Sequence, residues 1–220
     1  MADAPERVTL HLLLDGSMSM EWGSPAKFAY ARRLAAGLAY VALSHMDMVN
    51  LMLLRDEECV RVSQQESAKA MASLVRAARS LRPEGATNLD AALHAFTSGG
   101  NRRGVVVLVS DLLSPPGYQA GLERLSRSAL RPVVIHLLNP EELNPTLEGD
   151  MELEDVETGD AIQVSVDWAT KVRYKQWMQG WLREIEQFCT RRGISYLRAE
   201  TSQPVEELLL GRLRRERVLR

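Results

Sequence analysis

Short runs dominated by apolar residues recur at 8–14, 49–54, 105–109 and 133–138. Runs of this length without polar alternation predict strands buried on both faces of a mostly parallel sheet. Helical periodicity fills the intervals. Ser24-Pro25 offers an N-cap followed by proline at N1. In the helix it opens, Phe28, Ala31, Ala35, Leu38, Ala39 and Ala42 share one stripe while Lys27, Arg32 and Arg33 face away. A second helix is expected over about 65–80 and a third from Asn88 through Phe96. Strand and helix in repeated succession predict an α/β fold with helices on both faces of a Rossmann-like sheet.

Two segments depart from that rhythm. Residues 59–62 follow the strand ending at Leu54 too closely for a helical crossover, so they read as an antiparallel edge strand. Residues 151–156 and 161–166 alternate in polarity around Glu157-Thr158-Gly159-Asp160. That pattern predicts a surface β-hairpin at 148–166, inserted in the core, with Gly159 at positive φ. The longest helix is expected over about 167–192. Its Trp177, Trp181, Ile185 and Phe188 recur at helical spacing beside Tyr174, Met178 and Cys189, and are read as the face that packs on the sheet rather than as a ligand box. Residues 194–197 read as a last strand, and Pro204 opens a terminal helix whose arginines read as a solvated face. A single domain over 1–220 is expected, without repeats or linkers.

Composition narrows the class. With 220 residues, 45% hydrophobic and 25% charged, the chain has globular proportions and enough length for a core without staples. A formal charge of −2 gives no reason to expect a nucleic-acid partner. Cys59 and Cys189 lie far apart and lack a second Cys or His at zinc spacing, so both are expected as buried free thiols of a reducing compartment. The N-terminus has no basic segment leading into an apolar one, and no apolar run approaches the roughly 20 residues that cross a bilayer. No membrane association and a cytoplasmic location are the expectation.

Candidate chemistry gathers where strands end. The first strand runs into Asp15-Gly16-Ser17-Met18-Ser19, and alternate residues there can converge above the sheet edge. A carboxylate and two hydroxyls suit a hard divalent cation. The triplet alone is unspecific, but Gly85-Ala86-Thr87-Asn88 precedes a helix and adds a third hydroxyl. Ser110-Asp111 follows the strongest apolar run and adds a second carboxylate. In open α/β sheets the ligand crevice lies at the carboxyl ends of the strands, where all three loops fall.

Asp15-x-Ser17-x-Ser19 followed by Thr87 and Asp111 resembles the metal-ion-dependent adhesion site (MIDAS) of von Willebrand factor A domains. A closer resemblance is to the bacterial domain of unknown function 58 family. It is carried by Ala29-Tyr-Ala-Arg-Arg-Leu-Ala-Ala, Leu147-Glu-Gly-Asp-Met-Glu-Leu-Glu-Asp-Val-Glu-Thr-Gly and Phe188-Cys-Thr-Arg-Arg-Gly-Ile-Ser-Tyr. The first resemblance implies Mg²⁺ or Mn²⁺ held directly by Ser17, Ser19 and Thr87, with Asp15 and Asp111 acting mostly through hydrogen bonds or bridging water. The second implies association with MoxR-type AAA+ ATPases, as a chaperone-like adaptor. Members of that family usually carry a segment before the domain, whereas this chain enters its first strand by about residue 8.

A site with few carboxylates leaves the cation under-neutralised, so a partner protein's Asp or Glu is expected to complete it. Met18, Met20 and Trp22 either rim that contact or pack beneath the loop. The chain has no Gly-x4-Gly-Lys-Ser/Thr and no G-x-G-x-x-G after a strand, so nucleotide hydrolysis is not expected. A Mg²⁺-dependent phosphohydrolase with Asp15 as nucleophile is the competing class. Ser17 stands where the haloacid-dehalogenase pattern asks for a second acid. Nor do His11, His45, His94 and His136 form a readable Ser–His–Asp arrangement; His11 and His136 are expected in or beside the sheet. A scaffold with a vestigial metal site is a third reading. The expectation is therefore a non-catalytic, metal-dependent protein-binding module.

Overall fold

The computed structural model describes residues 7–100, 103–155 and 159–213. The apolar runs become β1 (Thr9–Asp15), β2 (Met48–Arg55), β3 (Glu58–Gln65), β4 (Gly104–Ser110) and β5 (Leu130–Leu138). A hairpin of β6 (Gly149–Glu154) and β7 (Ala161–Val166) separates these from β8 (Ser195–Glu200). Six strands form one sheet in the order β3-β2-β1-β4-β5-β8. Only β3 is antiparallel to its neighbour.

Alternation across the strands explains their unbroken apolarity. Val105, Val107 and Val109 of β4 enter one core while Val106 and Leu108 enter the other. The first core is covered by α1 (Lys27–Ser44), α2 (Met71–Ser80) and a terminal helical segment begun by Val205. The second is covered by α3 (Leu89–Ser98), α4 (Gln119–Arg127) and, beyond the short α5 (Pro140–Leu143), by α6 (Trp168–Arg191). The chain leaves β1 for β2 on one side and comes back as β4 on the other. Strand order thus reverses between β1 and β4, and the crevice at their carboxyl ends is where such sheets hold ligands.

Several local expectations change. The Ser24–Pro25 peptide is cis and stands outside the helix; α1 starts at Lys27, with Ala26 as N-cap and no side-chain cap. Lys27 does not face away: it is 1% exposed. β3 continues to Gln65, so α2 begins only at Met71, after a 3₁₀ turn capped by Ser67. α4, which the apolar pattern did not signal, anchors itself through Leu122 and Leu125. On α6 the buried residues are Met178, Leu182, Ile185 and Cys189, whereas Trp177 is 56% exposed and stacks on Trp181 at 5.9 Å between centroids. Aromatic area and helical spacing therefore overstate how much of that stripe meets the sheet.

The hairpin forms a sheet of its own, with Gly159 at φ 76°. The expected hairpin residues Val156, Glu157 and Thr158, and the arginines from 214 onward, lie outside the described residues. Cys189 is buried and Cys59 half-buried, both as free thiols. His11 and His136 are buried in the sheet, and His45 and His94 are exposed at helices. Among the described residues no helix is long and apolar enough to cross a membrane.

Candidate metal centre

Strand alternation is not what gathers Asp15, Ser17 and Ser19. β1 ends at Asp15, Ser17 is extended, and a 3₁₀ turn over Met18–Glu21 folds the chain back. Gly16 makes the bend possible by lying against β2. Its N–H donates to the Leu54 carbonyl at 2.8 Å, and a Cβ there would stand 2.9 Å from that same oxygen. Asp15 Oδ1 accepts from the Ser17 N–H at 3.1 Å, and Oδ2 accepts from the Ser110 hydroxyl at 2.6 Å. The Ser17 and Ser19 hydroxyl oxygens are 3.0 Å apart. Met20 is buried beneath this turn, Met18 is half-buried, and Trp22 is 40% exposed at the rim.

Backbone hydrogen bonds lace the second loop to the first. The Met18 N–H donates to the Gly85 carbonyl and the Glu84 N–H to the Gly16 carbonyl, each at 2.8 Å. Thr87 pairs with Asp56 in a parallel bridge, and its carbonyl accepts from the Ser114 hydroxyl at 2.9 Å. The Ser114 hydroxyl in turn accepts from the Leu89 N–H at the start of α3. These bonds bury Thr87 to 2% exposure and leave its Oγ1 without a hydrogen-bond partner. A buried hydroxyl in that state costs about 1–3 kcal/mol. It is the kind of atom a metal ion would satisfy.

The third loop holds the second carboxylate. Leu112, next to Asp111, has a left-handed backbone at φ 58°, a conformation that costs a leucine about 1–2 kcal/mol. This twist lets the Leu112 N–H donate to the Ser110 hydroxyl at 2.8 Å and the Leu113 N–H to Asp111 Oδ1 at 3.0 Å. Asp111 Oδ2 accepts from Lys27 Nζ at 2.7 Å. The same ammonium donates to Glu142 Oε1 at 2.5 Å and lies 6.0 Å from the Trp22 ring centroid. Glu142 is fixed by α5, where its Oε2 accepts from the Asn139 N–H at 2.6 Å in a capping box. The loop before α1 rests on that turn. Gly23, at φ 98°, meets the Asn139 amide so closely that a Cβ would fall 2.1 Å from its Nδ2.

Electrostatics follow from this burial. Desolvation, with the Asp111 charge adding to it, lifts the Asp15 carboxyl from 3.8 to about 6, against the lowering effect of its hydrogen bonds. Desolvation also disfavours the Lys27 ammonium, but Asp111 and Glu142 more than offset it, and its pKa lies above the ordinary lysine value. His136, paired with Ser110 across β4 and β5, is pulled down to about 4 by burial despite the Asp111 charge, so it is neutral at pH 7. Its Nδ1 meets the Tyr196 hydroxyl at 2.7 Å.

The structure thus places Asp15, Ser17, Ser19, Thr87 and Asp111 at one edge. Sequence reasoning missed three residues beside them. Lys27 is four residues before buried Ala31 and seven before buried Leu34, helical spacing that puts it on the buried face of α1. Glu142 was signalled by Asn139-Pro140-Glu141-Glu142, a capping box in sequence. Ser110 was seen only as the neighbour of Asp111. Among the described residues no three His, Cys, Asp or Glu are grouped so as to hold a metal ion. The side chains gathered at this edge offer three hydroxyls beside two carboxylates, an all-oxygen donor set whose chemistry fits a hard cation such as Mg²⁺ or Mn²⁺.

The sheet and the helices on its two faces have the von Willebrand factor A fold, an α/β fold with a mostly parallel sheet. It belongs to the family described as "Protein of unknown function DUF58", whose family model matches residues 3–180. Similar solved structures include the conserved hypothetical protein BatB from Bacteroides thetaiotaomicron, with 16% identity, 94% of this chain and 98% of that one covered, and a TM-score of 0.58. An aerotolerance-related membrane protein from Bacteroides fragilis shares 18% identity over 94% of this chain and 99% of its own, with a TM-score of 0.56. The SpRpn10 VWA domain shares 13% identity over 93% and 94% of the two chains, with a TM-score of 0.51. These likenesses establish the fold alone. No curated protein matches the chain.

Proposed function

We propose that this chain is a non-catalytic, metal-dependent protein-binding module. Ser17, Ser19 and Thr87 would hold Mg²⁺ or Mn²⁺ directly, with Asp15 and Asp111 supporting the ion from hydrogen-bonded positions. The observation that carries this reading is the buried Thr87 Oγ1 without a partner, in loops laced to those of the Ser17–Ser19 hydroxyl pair. When bound, the ion supplies a coordination position that an Asp or Glu of a partner fills, and exposed Trp22 offers that partner an apolar rim. The family resemblance makes a MoxR-type AAA+ ATPase in complex assembly, in the cytoplasm, the first partner to try. The geometry favours this over a phosphohydrolase. Asp15 is 1% exposed and both its oxygens accept hydrogen bonds, which suits a carboxylate that positions rather than attacks.

Titration calorimetry of Mn²⁺ and Mg²⁺ into the chain, beside Ser17→Ala, tests the site. One-site binding that the variant loses is the expected result. No binding by the intact chain, with or without added acetate as a surrogate partner carboxylate, overturns it. Metal that stabilises the chain while leaving partner affinity unchanged on chelation would favour the scaffold reading instead.

A further inference from the structure

The element of this edge that a hydroxyl-based metal site does not require is the buried ammonium. Lys27 is 1% exposed and reaches Asp111 from the first turn of α1, 84 residues away in sequence. Both Asp111 oxygens are then engaged, Oδ1 by the Leu113 N–H and Oδ2 by Lys27 Nζ. Glu142 holds the ammonium from its other side and is itself fixed by the Asn139 N–H. Lys27 is thus clamped between two carboxylates whose own positions are set by backbone.

We propose that Lys27 is a positioning residue that reserves Asp111 away from the metal, so that an ion on the three hydroxyls stays short of anionic ligands until a partner carboxylate arrives. A carboxylate already bonded to a full positive charge is a weaker donor to a second cation, and the ammonium itself repels a divalent ion placed nearby. Both effects lower the affinity of the unpartnered chain for metal and raise the value of an added carboxylate. Glu142 belongs to the same device because it keeps the ammonium in place. The inference rests on the metal-binding reading above and assigns the source of partner dependence within it.

The test is Mn²⁺ binding to the intact chain and to a Lys27→Met, Glu142→Gln double variant, followed by the paramagnetic resonance signal of free and bound ion. The double variant removes one charge of each sign, so the net charge of the cluster is unchanged while Asp111 loses its ammonium. The expected result is Mn²⁺ binding about ten-fold tighter or more in the double variant, an altered spectrum of the bound ion, and a smaller gain from added acetate. A merely structural role for Lys27 would weaken binding. Equal or weaker binding by a folded double variant overturns the proposal while leaving the metal site standing; an intact chain that binds no Mn²⁺ with or without acetate removes the reading beneath it. Should that double variant not fold, Lys27→Gln with Glu142→Gln serves in its place: it keeps a hydrogen-bond donor beside Asp111 without the ammonium charge, tighter Mn²⁺ binding is again expected, and equal or weaker binding again overturns the proposal.

Discussion

The carboxylates of β6 and those at the β1–β4 edge are the same chemical group in opposite surroundings. Asp150, Glu152 and Glu154 are exposed along a two-stranded hairpin, where water solvates them. Asp15 and Asp111 are each 1% exposed and engaged through both oxygens. A solvated carboxylate contributes little to stability, whereas a buried one must be matched by donors or by a cation. The contrast shows where the fold has accepted a cost, and such places in a sheet of this topology are where ligands bind.

The most severe way to probe that contrast is to remove the buried cation. Lys27→Met leaves Asp111 and Glu142 facing each other without compensation, and about 3–5 kcal/mol of stability should be lost in urea denaturation. A variant as stable as the intact chain would erase the contrast.

Next in size is the effect of Asp15→Asn, which works in the other direction. The folded pKa of Asp15 is raised from 3.8 to about 6, so the stability it contributes is complete below pH 4 and lost as pH rises through about 6. The amide avoids that loss, and the metal-free variant should be more stable than the intact chain by about 3 kcal/mol at pH 8 and by little below pH 4. His136 has the opposite sign. Its pKa falls from 6.5 to about 4, so the stability it contributes is present above 6.5 and lost as pH drops through about 4. In the intact chain the two trends oppose each other between pH 4 and 6; in Asp15→Asn the histidine trend is uncovered, and stability should fall visibly as that window is acidified. Denaturation curves at pH 4, 6 and 8 decide it.

A smaller effect comes from Thr87→Val. The metal-free chain should be unchanged or more stable by about 1 kcal/mol, because the valine removes an unsatisfied buried hydroxyl, while stabilisation by Mn²⁺ in a thermal melt disappears. The smallest belongs to the other side of the comparison. Glu152→Gln with Glu154→Gln should stay within about 0.5 kcal/mol of the parent by the same denaturation assay.

The sheet was readable because its strands are buried on both faces. Leu12–Leu14 and Val105–Val109 carry no polar residue, and nothing but a covered parallel strand accommodates that. The five oxygen side chains were readable because strand ends and helix starts bring them to one edge. Lys27 is hard to place because a charge next to an apolar stripe is ordinarily solvated; its spacing to Ala31 and Leu34 marks the buried face, but the counter-charges that make burial there tolerable, Asp111, 84 residues on, and Glu142, 115 residues on, are visible only in the fold. Trp177 erred the other way, since periodicity marks a face but not where the neighbouring element ends. Convergence of Asp15, Ser17 and Ser19 was anticipated for the wrong reason, as the 3₁₀ turn that achieves it has no hydrophobic period of its own.

The Ser110–Asp15 hydrogen bond has a consequence for how the molecule comes to be. It joins residues 95 apart in sequence, and β4 must be seated beside β1 before it can form. Closing so long a segment is entropically slow compared with forming helices or the β2–β3 connection. A chain emerging from the ribosome therefore possesses the Asp15-x-Ser17-x-Ser19 segment long before it possesses the edge those residues belong to. On the proposed reading, capacity to engage an ion or a partner there would arrive only once β4 is seated beside β1, so binding at this corner would report that the centre of the sheet has assembled.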